Sequence, residues 1–227
     1  MKKTIFITAF ACSALFLGAA DFKTLCAEAA KAMGTKNYTA ASAKYEEAVK
    51  KAQSSREKRA AIVGKYNALK KLKRWKEADD YVLKTVDSDE VLKSQDIRFL
   101  LSLVAGGHLW DSHYEKALSI LQQAQNIQAP KGSNEYYIVP YYMATIYLSR
   151  KKQYSAAIET MKDVITQKGL HPANRYTGNM LIGSAYEKMG KKAEALRHYK
   201  TALEYGKKVQ YKYNYSEAEK AVKRLSE

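Results

Sequence analysis

The chain has 227 residues, with 39 Lys and Arg against 23 Asp and Glu and a formal net charge of +16. A hydrophobic fraction of 46% with 11% aromatics is a folding composition that excludes wholesale disorder, and 11 Gly with 3 Pro exclude collagen-like or Pro-rich low complexity and argue against a turn-dense β-sandwich. Two Cys exclude a disulfide scaffold and a cysteine-based zinc module.

A charge of this size ordinarily points to nucleic acid or an anionic membrane. The first twenty residues redirect that expectation. Lys2 and Lys3 precede an uncharged run over residues 5–17, and Gly18, Ala19 and Ala20 supply small side chains before Asp21. These are the three parts of a secretory signal peptide, with cleavage expected after Ala20. A membrane-spanning anchor would need about 20 apolar residues, more than the run provides. A lipoprotein signal ending at Cys12 would leave too short an apolar run and would place the large Phe10 where small residues belong. Cleavage leaves 207 residues, removes Lys2 and Lys3 so that the charge becomes +14, and leaves Cys26 as the one thiol. No intramolecular disulfide can then form, even in an oxidising compartment. Such a start looks bacterial, and export to the periplasm or beyond removes genomic DNA as a partner.

One pattern then repeats along the chain. An aromatic followed three residues later by Ala occurs at Tyr38/Ala41, Trp75/Ala78, Tyr114/Ala117 and Tyr154/Ala157, and a fifth copy has Lys192/Ala195. The anchors are 37, 39, 40 and 38 residues apart. Four residues after each Ala stands a larger side chain (Tyr45, Val82, Leu121, Met161, Tyr199), and three further on a smaller one (Ala48, Thr85, Ala124, Val164, Ala202). These offsets share one face of an α-helix, and Ala on that face admits a close neighbour. Upstream of the anchors run further apolar periodicities, such as Ile62-Val63-Tyr66-Leu69-Leu72 and Tyr141-Tyr142-Ala144-Tyr147-Leu148. Two helices per unit make a helix–turn–helix repeat. Gly169 before Pro172 reads as a helix stop and a new first turn, Ser133 as an N-cap, Gly206 as the end of the last repeat, and Ser216 with Glu219 as a capping box.

The fifth unit, with Gly183, Tyr186, Gly190, Ala195, Tyr199 and Ala202 in register, resembles the tetratricopeptide (TPR) family. The other units run three to six residues longer than the family's usual repeat and mostly lack its turn Gly, and the fourth holds an extra turn residue. The resemblance implies an all-α fold, a TPR-like α–α superhelix of about five repeats, covering roughly residues 22–54, 56–88, 94–129, 134–169 and 172–206. A capping helix at about 215–226 would give the last repeat a polar outer face.

Little in the chain resembles catalytic or cofactor chemistry. His108, His113, His171 and His198 fall in no ligand spacing and read as surface or turn residues, while Cys26 among Ala29, Ala30 and Ala32 reads as a small buried hydrophobe. No phosphate loop, nucleophile elbow or carboxylate pair stands out, so no enzyme, cofactor or metal is expected. The family resemblance implies a concave groove lined by the first helix of each pair, which takes a peptide segment or partner protein. Counting back from the anchors assigns Asn67, Lys71, Trp110, Tyr141, Thr145, Met180, Ser184 and Lys188 to it. The same aromatics, Trp110 and Tyr141, could instead pack between repeats. The family's carboxylate clamp is absent, since Val63 precedes Asn67 by one turn and Leu103 stands at the corresponding place in the next repeat.

The turns between paired helices carry Lys36, then Lys70, Lys71, Lys73, Arg74 and Lys76, then Arg150, Lys151 and Lys152, then Lys191 and Lys192. Cations stabilise helix C-termini by roughly 0.3–1 kcal/mol each, which is one explanation of this basic rim. The other is an anionic partner: acidic protein segments, phospholipid head groups or anionic envelope polymers. Residues 44–76 concentrate the charge, with twelve Lys and Arg against three Glu.

Overall fold

The structure, a computed structural model, describes residues 10–209 and 214–227, with side chains from Asp21 onward. The described residues form eleven α-helices: α1 (Phe10–Gly34), α2 (Tyr38–Lys51), α3 (Ser55–Lys71), α4 (Trp75–Ser88), α5 (Ser94–Trp110), α6 (Tyr114–Gln125), α7 (Asn134–Ser149), α8 (Tyr154–Lys162), α9 (Pro172–Lys188), α10 (Lys192–Lys208) and α11 (Ser216–Ser226). The odd-numbered helices to α9 are the first of each pair (helix A), the even-numbered ones the second (helix B), and α11 follows the last pair. Residues 1–9 of the expected signal peptide lie outside the described residues. Among the described residues no helix is long and apolar enough to cross a membrane.

Each anchor is the first residue of a helix B. The Ala three positions on is fully buried in all five copies, because a side chain ending at Cβ lets the facing helix approach closely. Val82, Leu121 and Met161 one turn later are also fully buried, and Tyr199 is 4% exposed. Tyr45 fits only because Gly64 faces it: a Cβ there would meet the ring at 2.4 Å.

The pairs turn by one device. In four of the five turns the residue two before the anchor donates its N–H three residues back, as in Lys36 to Met33, Lys73 to Lys70, Ser112 to Leu109 and Gly190 to Glu187. The next residue reaches five back: Asn37 to Ala32, Arg74 to Leu69, His113 to His108 and Lys191 to Tyr186. That is the Schellman motif, which requires a left-handed residue at its centre. Lys36, Lys73 and Ser112 accordingly have φ of 60°, 62° and 66°, and Gly190 has 75°. The fourth turn holds one more residue. There Gln153 reaches six back to Tyr147, and Lys152 takes φ 52°.

Two helix ends differ from expectation. Ser216 is the first residue of α11 rather than its cap, because its N–H (3.1 Å) and hydroxyl (2.7 Å) both donate to Asn214 Oδ1. Gly206 does not end α10, which continues to Lys208; it is buried where Tyr176 and Tyr215 close in, and a Cβ would meet them at 3.1 and 2.9 Å. A capping box does form at Ser54 and Glu57, where each residue bonds the other's N–H at 3.2 Å.

The chain divides within α5 into two compact units, residues 1–100 and 101–227. In the first, Ala41, Ala61, Ile62, Tyr66, Leu69, Ala78 and Val82 are buried. Polar side chains tie its later elements: Asp96, 3% exposed, accepts the Ser55 hydroxyl and pairs with Arg59 at 2.9 Å, and Lys58 pairs with Asp89 at 2.7 Å. Asp89 also accepts the Val91 and Leu92 N–H groups, so this acidic residue closes its own turn. Burial alone would raise its pKa, but Lys58 and those donors hold it below the usual carboxylate value. In the second unit Ala144, Ala157, Met161, Ile182 and Ala185 form one cluster. Arg175 draws in the end of the α8–α9 connection by donating to the Ile165 and Gln167 carbonyls (2.6 Å each) and to Leu170 (3.3 Å). Helix α11 sets Ala218 beside Tyr176 and Ala202, and Ala221 beside Ala195 and Tyr199. Glu187 accepts the Tyr199 hydroxyl at 2.9 Å and both Arg224 nitrogens, joining α9, α10 and α11.

Candidate partner-binding face and basic rim

The residues assigned to helix A separate by exposure. In the first unit Asn67 and Lys71 stand one turn apart near the C-terminal end of α3, both exposed. In the second, Trp110 ends α5 with 82% of its surface exposed, and Lys188 ends α9, also exposed. The other four are half-buried. Tyr141 stacks on Tyr137 with centroids 5.3 Å apart, and burial pushes its phenol pKa up. Thr145 donates to the Tyr141 carbonyl at 2.8 Å and Ser149 to that of Thr145 at 2.6 Å, so these hydroxyls are satisfied within α7. Met180 packs against the two clusters that hold α11. Its first role is thus in the seam with the capping helix, a contact that counting along helix A does not reveal. Ser184 lies one turn beyond it on α9.

The rim residues do not share one electrostatic situation. Lys70 and Lys71 occupy the last turn of α3, where the helix dipole favours them. Lys70 also lies 4.7 Å from the Trp75 ring and 5.4 Å from that of Tyr66. Arg74 and Lys191, however, are the N-cap residues of α4 and α10, with Lys76 and Lys192 in the first turns that follow. The dipole opposes cations there. Neither residue's side chain caps a helix N–H, whereas Asn37 caps α2 through Ala40 N–H at 3.2 Å. Partial compensation is local: Arg74 pairs with Glu77, Lys76 with Asp80 and Lys151 with Glu115, the last two at 3.0 Å. Arg150 lies 4.7 Å from the Tyr114 ring. Helix C-termini therefore account for only part of the rim.

Beside the first unit's rim, α3 and α4 frame an open cleft of about 760 Å³, lined by Lys65, Lys73, Arg74, Trp75, Lys76, Glu77, Asp80, Tyr81 and Lys84. Of this lining the sequence pattern singles out Lys73, Arg74, Trp75 and Lys76; Glu77, Asp80, Tyr81 and Lys84 follow along one face of α4, and Lys65 joins them only through the packing of α3 on α4.

The remaining candidates have structural roles. Cys26 is half-buried against Phe22, Ala48 and Ala61, and burial raises its thiol pKa. His171 caps α9 through Ala173 N–H at 3.2 Å. His108 is 7% exposed and so not a surface residue. His198 is half-buried, stacked on Tyr186 and bonded to Asn179 Oδ1 at 2.9 Å. Among the described residues no three His, Cys, Asp or Glu side chains gather where a metal could bind.

No family model matches the chain, and no curated protein does. Solved structures do. A kinesin-light-chain-type protein of Podosopora anserina with nearly identical TPR-like repeats superposes with a TM-score of 0.57 at 17% identity, over 84% of this chain and 97% of that one. A second structure of that type gives 0.59 over the same shares. BtubC (BKLC) from P. vanneervenii gives 0.60 at 13% identity, over 92% of this chain and 82% of its own. At such identities the likeness is one of fold, and it agrees with the turns and buried anchors: the protein has an all-α, TPR-like solenoid fold.

Proposed function

We propose that the protein is a non-catalytic scaffold of the bacterial cell envelope, exported with its first twenty residues removed and most at home in the periplasm. It holds a partner protein or peptide segment against the exposed parts of its A helices. The fold supports a protein-interaction role, since stacked helix pairs present long faces that need no further chemistry to bind a chain. The observation that carries the reading is Trp110. An indole left 82% exposed at the end of a helix is large apolar surface that a partner gains by covering.

A second reading is favoured by one specific observation, the cations at the starts of α4 and α10. There an anionic surface, lipid or polymer, would dock on the rim with the A helices incidental. The two readings separate by mutation. Under the first, Trp110→Ala with Tyr141→Ala abolishes capture of a crosslinked envelope protein while charge reversal at Lys191 and Lys192, at the start of α10, spares it. Under the second, the charge reversal abolishes binding to anionic vesicles, which also weakens as salt rises. Vesicle binding that is insensitive to salt refutes the second reading, and partner capture unchanged by the aromatic pair refutes the first.

A further inference from the structure

The cleft beside Trp75 shares Lys73, Arg74 and Lys76 with the basic rim, but its apolar wall has no part in the assignments above. We infer that it docks an acidic, extended segment of a partner protein that carries at least one apolar side chain. This rests on the scaffold reading and places a contact chiefly on α4, with Lys65 of α3, apart from the exposed A-helix residues named above.

Charge fixes the sign of the occupant. Five cations and two carboxylates line the cleft, and both carboxylates are already engaged. Arg74 donates to Glu77 at 2.6 Å and Lys76 to Asp80 at 3.0 Å. Lys65 pairs with Glu46 and lies 3.7 Å from the Tyr81 ring centroid. Lys73 and Lys84 are left to meet an incoming anion. Lys73 holds its charge at a left-handed turn position, φ 62°, where Gly would be unstrained. Arg74 gives α4 no side-chain cap, so the first N–H groups of that helix lack a side-chain acceptor that a carboxylate could supply.

The apolar wall fixes the composition. Trp75 is 47% exposed, with Lys70 over its ring, and Tyr81 lies further along the same helix. Carboxylates alone would leave that surface uncovered, whereas Asp or Glu interspersed with an apolar residue covers it and pairs the cations. Helical rise puts Lys84 about 13 Å along α4 from Trp75, a span an extended chain crosses in about four residues. The depression is open and elongated along α4, so an extended segment can lie along it and meet Trp75 and Lys84 together.

The protein has two tryptophans, so the full-length Trp110→Phe variant reports from Trp75 alone. It is titrated at low salt with a short peptide of Asp and Glu around one Leu, with its Lys counterpart, and with phosphatidylglycerol vesicles. The acidic peptide shifts Trp75 emission saturably and the Lys peptide does not. Lys73→Glu combined with Lys84→Glu weakens that binding about tenfold or more, as charge reversal at a complementary site does, and Lys84→Gln alone, exposed and mid-helix, weakens it less. No saturable shift, or equal binding by the charge-reversed protein, overturns the inference. A response to vesicles without one to the peptide overturns it in favour of a lipid surface. Partner capture that is lost with Trp110→Ala and Tyr141→Ala but unchanged in the charge-reversed variant also overturns it, while leaving the scaffold reading intact. Peptide binding that persists where no helix-A variant affects partner capture supports the cleft and removes the helix-A face.

Discussion

Lys36, Lys73, Ser112 and Lys152 hold φ between 52° and 66°, a region that costs a residue with a Cβ about 1 kcal/mol or more. Gly190 shows that the same turn accepts Gly. Lys73→Gly is therefore expected to stabilise the protein by up to about 1 kcal/mol, less the extra freedom Gly gives the unfolded chain. Lys191→Asp, which supplies a cap acceptor and removes a cation from a helix start, adds about 1 kcal/mol. Denaturant unfolding measures both, and lower midpoints would show that these lysines make stabilising contacts instead. A search for turn glycines finds one turn of five, because the left-handed position is a demand of the backbone and not of a residue type. His198 gives a pH prediction. Asn179 donates its amide N–H to the Arg175 carbonyl at 2.8 Å, which leaves its Oδ1 to accept from His198 Nδ1–H. Burial, then the nearby Arg197, hold the His198 pKa below its ordinary 6.5. The unfolded chain thus takes up a proton before the folded one. Stability is full above about pH 6.5 and falls as pH drops through the lowered folded value. His198→Asn, which keeps the amide bond without the titration, should flatten melting temperature against pH in that window, and an unchanged slope would refute this.

The helices themselves were the most legible elements, for a physical reason. A close contact between paired helices demands a small residue at one fixed place, so the five buried Ala announce every helix B and place its first residue. Capping was less legible. Ser54 and Ser216 both stand three residues before a Glu, but Ser54 has the extended backbone a cap needs (φ −129°, ψ 152°) and bonds reciprocally with Glu57. At the other site Tyr215 holds the cap position with ψ 14°, and Asn214 takes the bonds of Ser216. Helix α11 yields the prediction for this scale. Its removal uncovers Tyr176, Met180 and Tyr199 along α9 and α10 and deprives Glu187 of Arg224, the chief group holding its carboxyl pKa below the usual value, ahead of Tyr199. Truncation before Ser216 should cost up to about 4.5–9 kcal/mol, at roughly 1.5–3 kcal/mol for each of these three side chains if fully exposed, and should cause self-association. Scanning calorimetry with light scattering tests this, and a monomer of unchanged stability would contradict it.

At the scale of the whole molecule, the net charge of +16 resolves into different situations. Two lysines belong to the expected signal peptide, and several others sit where helix dipoles oppose them or where the backbone is left-handed. Repeat number and fold class were legible because periodicity records both. The candidate site was legible in part. Counting along helix A finds Asn67, Lys71, Trp110 and Lys188 exposed, but it cannot tell that Met180 fills the seam under α11 or that Tyr141 is stacked. Nor can it find Lys65 beside Tyr81 and Lys84 of α4, since that grouping depends on how α3 and α4 pack. The central claim is that a partner protein lies against exposed helix-A surface. Its most direct test is a photo-crosslinking amino acid placed in the full-length protein at Trp110, with Lys200 on α10 as the control, followed by irradiation in the native host. A discrete protein adduct at position 110 and none at 200 is the predicted result. No adduct at 110, or the same adducts at both positions, would contradict it.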